Sequence, residues 1–168
     1  MPVHGGVTAS ILLLSFVSLE RLSELVIATI NTRRLTAKGA YEVAAGHYPL
    51  FFLVHGGWLA GLWWLGFDRP LILPWVAAYA SLEAMRVWVM VTLGARWTTR
   101  IIILPGAPLV RRGPYRFLAH PNYAVVVGEI LVLPLCFGLT TYAAVFTALN
   151  AAVLFVRIRA ENRALTAL

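Results

Sequence analysis

The chain has 168 residues, 60% of them hydrophobic and only 12% charged, with a mean hydropathy of +0.79. A soluble domain carries about 25% charged residues; this composition excludes one and points to an all-α integral membrane protein, a single domain with room for about five transmembrane helices of ~20 residues each. Lys and Arg exceed Asp and Glu by 14 to 7, but the positive groups sit between apolar runs, which fits membrane orientation and argues against nucleic acid as a partner.

The first apolar run, Val7 to about Ile30, lacks a basic start and a small-residue cleavage site, so it reads as a retained helix. Glu20 and Glu24 share a face near its end, and Arg21 reaches Glu24 at i+3; such charges belong at the headgroups or against other helices. Residues 31–48, with Arg33, Arg34 and Lys38, read as a connecting loop with a short interfacial helix. Pro49–Phe67 is the second span, with Trp63 and Trp64 in the aromatic belt at its end. Its His55 reads as a satisfied interhelical hydrogen-bonder, and no carboxylate stands at a metal-ligand spacing from it, so no metal is expected. Gly56, Gly57 and Gly61 permit close helix approach, within one chain or between two copies. After the turn at Asp68-Arg69-Pro70, Leu71–Leu93 forms the third span. Glu83 and Arg86 are placed there to neutralise one another, either as a structural pair or lining a polar cavity.

From Gly94 to Ala119 the chain is punctuated by Pro105, Gly106, Pro108, Gly113 and Pro114, which predicts turns at the membrane surface. A loop of that length in a small domain is usually functional or disordered, and its apolar Ile101 to Leu104 and Leu109-Val110 argue against disorder. Tyr123–Leu139 and Thr141 to about Ile158 then read as a helical hairpin, the fourth and fifth spans, with Pro134 a kink. A polar helical tail follows, and the lone Cys136 excludes an intrachain disulfide. Eleven Lys and Arg fall in the first loop, the third loop and the tail, against Arg69 alone on the other side. That asymmetry puts the long loops and the C-terminus in the cytoplasm and the N-terminus outside, which requires an odd number of spans.

Chemistry concentrates where the basic loop meets the fourth span. Arg111, Arg112 and Arg116 suit the anionic end of a cofactor, Pro121 suits a first helical turn, and His120 stands at the mouth of that helix. Arg157 and Glu161, four apart at the cytoplasmic end of the fifth span, face the same region, so loop, helix mouth and tail should meet. Glu129, a lone carboxylate in the fourth span, is either protonated and structural or turned to a substrate cavity, and the cavity is the expected position.

Trp97-Thr98-Thr99-Arg100, Leu109-Val110, Gly113-Pro114-Tyr115, His120-Pro121-Asn122-Tyr123 and the closing Arg157 with Glu161 resemble the isoprenylcysteine carboxyl methyltransferase family, membrane enzymes that use S-adenosylmethionine. The resemblance covers about residues 90–165. Gly39-Ala40-Tyr41-Glu42 and His47-Tyr48-Pro49 look like the short bacterial members, some of which methylate hydroxyl groups on long-chain polyketide lipids. The resemblance implies cofactor contacts at Arg100, at Ala107, Pro108, Leu109 and Val110, at Tyr115, at His120, Pro121, Asn122 and Tyr123, and at Glu161. It makes Arg157 the substrate-side arginine, with Glu129 as a further catalytic candidate, and it implies a bacterial inner membrane. Residues 1–93 would then supply the lipid-substrate side and residues 94–168 the cofactor side. Ala119 replaces the Arg that commonly precedes the His-Pro pair, and Asn162 the second of two Glu residues. Both changes remove charge, so the acceptor is a lipid-like molecule from the bilayer offering either a carboxyl or a hydroxyl oxygen. The rival classes are an NADPH-dependent membrane reductase, since sterol reductases carry a similar His-Pro-Asn-Tyr region, and a non-enzymatic scaffold or transporter subunit.

Overall fold

The computed structural model describes residues 3–166. Five helices follow one another: α1 Val3–Thr36, α2 Tyr48–Gly66, α3 Leu73–Leu93, α4 Pro121–Cys136 and α5 Thr140–Thr166. They coincide with the five apolar runs. Two of them, counted over Leu73–Arg96 and Thr140–Ala164, are long and apolar enough to cross a membrane by length and composition. The strands among the described residues are β1 Tyr41–Glu42 and β2 Ile102–Ile103, paired antiparallel with Tyr41 opposite Ile103.

Element boundaries differ from the sequence expectation at both ends. α1 continues to Thr36, so Arg33 and Arg34 occupy its last turn, where cations suit the helix dipole; the connecting segment holds β1 and a 3-10 turn at Ala45–His47 in place of an interfacial α-helix. α5 is continuous through Arg157 and Glu161, so the last apolar run and the polar tail, expected as separate elements, are one helix. Pro134 falls in the last turn of α4, and the helix ends two residues later, so the proline marks a stop more than a bend.

The buried residues of α1 are Ser10, Leu14, Val17, Glu24, Ala28, Asn31 and Leu35, spaced by threes and fours with Arg21 in the one gap. Its other faces expose Leu12, Phe16, Leu19, Leu22 and Val26. A narrow buried seam on a helix that is apolar all round fits a neighbour that is lipid as much as protein. α4 is central, packed against α3 and α5. Gly61 of α2 faces the Tyr142 side chain of α5, where a Cβ would collide with the hydroxyl, so this close approach lies within one chain; a Cβ on Gly56 or Gly57 meets nothing within 4 Å.

Two apolar clusters divide the bundle. The larger centres on Leu14, Trp58, Ile130, Leu133 and Phe137, toward the end where the Ser10 hydroxyl donates to the Arg69 carbonyl and the Ile72 N–H donates to the Cys136 carbonyl at 2.8 Å. The smaller, Ala28, Val89, Trp97 and Val125, supports the end that carries the long loop. Between them lies an ion network. Arg86, 3% exposed, donates to Glu129 through Nε at 2.5 Å and through Nη2, and to Glu24 through Nη1 at 2.9 Å. Arg21 joins Glu24 at 2.8 Å and Glu129 at 2.9 Å, and its Nη2 lies 3.7 Å from Glu83. Arg86 is thus paired across helices with Glu24 and Glu129, not with Glu83 on its own helix as the spacing suggested.

Candidate active site

The loop of residues 94–119 is held to the bundle by hydrogen bonds from several elements. Asn31 of α1 donates through Nδ2 to the Trp97 carbonyl at 2.9 Å and the Val43 N–H donates to the Ile101 carbonyl at 2.9 Å, while Arg96 braces the loop internally by donating to the Pro108 carbonyl at 2.6 Å. Gly113 turns with φ +56° against the Thr92 side chain, a place with no room for a Cβ. Trp97 is buried, and its indole N–H donates to Asn122 Oδ1 at 3.3 Å. The loop therefore lies over the mouth of α4 and encloses a cavity of about 430 Å³.

The far wall of that cavity comes from α4 and α5. The Tyr123 hydroxyl donates to Glu161 Oε2 at 2.5 Å and accepts from Arg157 Nε at 2.9 Å. Arg157 also donates through Nη2 to the Thr99 carbonyl at 2.6 Å, which ties α5 to the loop. His120 stacks on Tyr123 with ring centroids 5.4 Å apart, pairs its Nε2 with Asn162 Oδ1 at 3.1 Å, and holds Nδ1 3.9 Å from Glu161. Arg157 and Glu161 are joined by the tyrosine hydroxyl; among the described residues they form no direct i,i+4 ion pair. Burial, and next the Glu161 charge, hold the Tyr115 phenol above its usual range, so it stays a neutral donor on the cavity wall.

Of the cofactor-binding and catalytic residues that the family resemblance implies, all line this cavity except Pro121 and Glu129. Pro121 is fully buried at the first position of α4, where its missing N–H costs nothing and its ring shapes the helix mouth. Glu129 is not a lone carboxylate: it lies inside the ion network with oxygens taken by Arg86 and Arg21, and it lines neither this cavity nor its neighbour. Of the three loop arginines suggested for an anionic group, Arg111 lines the cavity, whereas Arg112 reaches the Thr92 carbonyl at 3.5 Å and Arg116 covers the Phe117 ring at 4.7 Å. Arg100 lines it while paired with Glu42 at 2.7 Å and stacked over Tyr48 at 4.3 Å.

A second cavity, about 350 Å³, opens between α1, α2 and α4, with Leu22, Leu25, Phe51, Phe52 and Leu59 on its walls and Arg21, Glu24 and Arg86 of the ion network beside them. A substrate cavity on this side was expected, but its α2 wall was not named from the sequence, although Phe51, His55 and Leu59 form an i,i+4 ladder on one face of α2. Trp97, Thr98, Asn122, Tyr123 and Arg157 line both cavities. The more polar chamber under the loop and the largely apolar one in the bundle thus meet at a shared wall, where no described residue takes Arg157 Nη1.

Residues 75–167, which supply α3, the loop and the α4–α5 hairpin, match the isoprenylcysteine carboxyl methyltransferase family. The chain belongs to that family. It is also 35% identical over 167 residues to YpbQ of Bacillus subtilis (strain 168), described as an uncharacterized protein, with 92% of this chain and 95% of that one covered. No solved structure matches it. With its two long apolar helices, membership in the isoprenylcysteine carboxyl methyltransferase family makes this a membrane protein of a methyltransferase lineage.

Proposed function

We propose that the protein is a membrane-embedded O-methyltransferase that uses S-adenosylmethionine, bound in the loop cavity, to methylate a carboxyl or hydroxyl oxygen of a lipid-like acceptor held in the bundle cavity. The five helices are the five spans, with the long loops and the C-terminus on the cytoplasmic side of a bacterial inner membrane and the N-terminus outside. Residues 1–93 then supply most of the acceptor chamber and residues 94–168 most of the cofactor chamber. What supports this assignment above all is the wall of Trp97, Thr98, Asn122, Tyr123 and Arg157 common to a cavity lined by charged and polar groups of both signs and a largely apolar one. Two reactants of opposite solubility can approach one another there from opposite sides.

The residues of the loop cavity fit the cofactor. A volume of about 430 Å³ suits a molecule of this size, and the lining offers Glu161 and His120 as well as Arg96, Arg100 and Arg111, both signs of charge for a zwitterion with a sulfonium centre. Bound S-adenosylmethionine supplies an electrophilic methyl group. The protein's own part is positioning: Tyr123 and the Thr99 carbonyl fix the Arg157 guanidinium and leave Nη1 to hold the acceptor oxygen. The apolar walls keep water away while positive and negative charge cancel in an in-line displacement. A carboxylate acceptor arrives already ionised; a hydroxyl acceptor gains acidity from the adjacent guanidinium and gives up its proton, for which His120 on the loop-cavity wall is the accepting group.

Calorimetry on detergent-purified protein tests the cofactor: S-adenosylhomocysteine should bind and NADPH should not. Membranes given a methyl-labelled donor, together with either a prenylated cysteine carboxylate or a long-chain phenol, should yield a labelled lipid extract. Failure of S-adenosylhomocysteine to bind would remove the proposal.

A further inference from the structure

Outside the five α-helices, the most exposed large apolar side chains among the described residues all belong to the long loop: Phe117 at 67%, Leu109 at 61% and Leu118 at 50%. A helix in a bilayer shows such residues to acyl chains, whereas a loop in water exposes them at a cost. Phe117 and Leu118 are adjacent, and they are held in place. Their N–H groups both donate to the Pro114 carbonyl at 3.1 Å, Pro114 is itself buried, and the 3-10 turn Gly113–Arg116 packs against α3. The turn therefore presents two neighbouring apolar side chains outward, and a cluster of that kind on a folded surface marks an interaction site.

The charge around them has one sign. Residues 94–119 contain Arg96, Arg100, Arg111, Arg112 and Arg116 and neither Asp nor Glu. Glu42 neutralises Arg100, and Arg96 turns back on the Pro108 carbonyl. Arg111, Arg112 and Arg116 form no ion pair among the described residues. Arg112 and Arg116 are exposed, lie outside the loop cavity and flank the turn, with the Arg116 guanidinium 4.7 Å from the Phe117 ring centroid. Membrane orientation accounts for the arginines but not for apolar side chains displayed among them. The turn also stands at a defined level: Gly113 abuts the Thr92 side chain at the end of α3, and Phe117 and Leu118 shortly precede Pro121, the first residue of α4. With α3 and α4 as spans, that level is the boundary between headgroups and hydrocarbon.

We infer that Phe117, Leu118, Arg112 and Arg116 form a docking surface for anionic phospholipid, the two apolar side chains inserted in the adjacent leaflet and the two guanidinium groups on headgroup phosphates. The surface rests on the reading of α3 and α4 as spans. Apolar residues entering the acyl boundary with cations beside them is the arrangement by which interfacial segments hold a bilayer. A zwitterionic headgroup brings its own cation to each phosphate, whereas an anionic one leaves that charge free, so two unpaired arginines select the anionic lipid. Leu109, Val110 and Arg111, just ahead of the turn, line the loop cavity. Lipid held at the turn thus steadies one wall of the proposed cofactor chamber, and the charge of the bilayer becomes an input to cofactor affinity.

The lone native thiol, Cys136, is fully buried, so a nitroxide can be placed on Leu118→Cys alone in the full-length protein, with Phe117 left intact. In nanodiscs of equal parts phosphatidylcholine and phosphatidylglycerol, paramagnetic resonance should find the label open to oxygen and shielded from a water-soluble nickel complex. The shielding should fall in phosphatidylcholine alone, at high salt, and in the Arg112→Gln, Arg116→Gln double variant. Unlabelled protein gives a second reading. S-adenosylhomocysteine should bind about fivefold or more tightly in the anionic discs than in the zwitterionic ones, and the double variant, whose changes lie outside the cavity, should bring that ratio close to one. A label open to the nickel complex in both discs, or shielded equally in both, would overturn the surface; if the labelled variant does not fold, the affinity ratio of the unlabelled protein decides. A charge-dependent label with an indifferent cofactor affinity supports the surface and removes its hold on the cavity. Absence of S-adenosylhomocysteine binding in either disc removes the proposed function and leaves the label to decide the surface.

Discussion

Two sets of guanidinium and carboxylate groups are buried in this bundle, and they differ in what is left over. In the ion network, Arg86 spends Nε, Nη1 and Nη2 on Glu24 and Glu129, and Arg21 binds the same two carboxylates. At the shared wall, Arg157 spends Nε on a tyrosine and Nη2 on a backbone carbonyl, and both cavities adjoin it. The first set joins α1, α3 and α4 and sets its charges against one another, although Arg21 Nε and Glu83 Oε1 are buried without a hydrogen-bond partner among the described residues; the second keeps capacity at the wall that both cavities share. The residue types are the same, and the partners separate a structural cluster from a site: carboxylates neutralise Arg86, whereas a tyrosine hydroxyl and a backbone carbonyl hold Arg157 without taking its charge.

The sharpest way to break that distinction is Arg86→Met. Removing one partner from a buried pair leaves carboxylates uncompensated, at a cost of about 3–5 kcal/mol. We expect a large fall in the thermal unfolding midpoint in detergent, with less loss in Arg86→Met combined with Glu129→Leu, since an apolar replacement of the pair removes the orphaned charge. An Arg86→Met protein as stable as the parent but unable to transfer methyl groups would move the network into the active site.

Arg157→Ala should act in the opposite sense. Its guanidinium is the group proposed to hold the acceptor oxygen, so kcat/KM should fall about a hundred- to a thousandfold. S-adenosylhomocysteine affinity should change far less. A matching loss of cofactor affinity would instead make Arg157 a cofactor residue.

Much of this site is legible in the sequence, and the unread part has a physical cause. Gly113 and the prolines of residues 105–114 announce turns, Pro121 announces the start of α4, and the motifs around Tyr115, His120 and Tyr123 converge on one cavity as their order implied. Glu129 was misplaced because one sequence cannot show which arginine on another helix will reach it. The α1 seam was invisible for a different reason: Leu12, Phe16 and Leu19 on its outer faces are as apolar as Leu14 and Val17 inside, so hydrophobic periodicity has no contrast to read. The β1–β2 pair is two residues per strand, too short to register as a strand pattern.

Tyr123→Phe sharpens the comparison within the site. The hydroxyl is the one group that both accepts from Arg157 and donates to Glu161. Its loss breaks two charge-assisted hydrogen bonds, each contributing about 1.5–3 kcal/mol, partly offset by water reaching the cavity side. We expect activity to fall about ten- to a hundredfold, with the KM for both the cofactor and the acceptor raised, because Glu161 lines one cavity and Arg157 lines both. A change confined to one substrate would show that the bridge positions only one of its partners.

The smallest effect belongs to the pair that falls between the two classes. Arg100 lines the loop cavity, but its guanidinium is paired with Glu42 at 2.7 Å and its side chain is 39% exposed. An exposed ion pair of this kind stabilises by about 0–1 kcal/mol, and β1–β2 pairing holds Glu42 and Ile102 opposite one another without it. Glu42→Gln should therefore leave the unfolding midpoint nearly unchanged. Freed from its partner, Arg100 gains unspent valence at the cavity rim, so S-adenosylhomocysteine affinity should stay the same or rise slightly, measured by calorimetry at low ionic strength where surface charge acts most strongly. If affinity falls instead, Glu42 is positioning Arg100 for the cofactor, and a paired guanidinium belongs to the site after all.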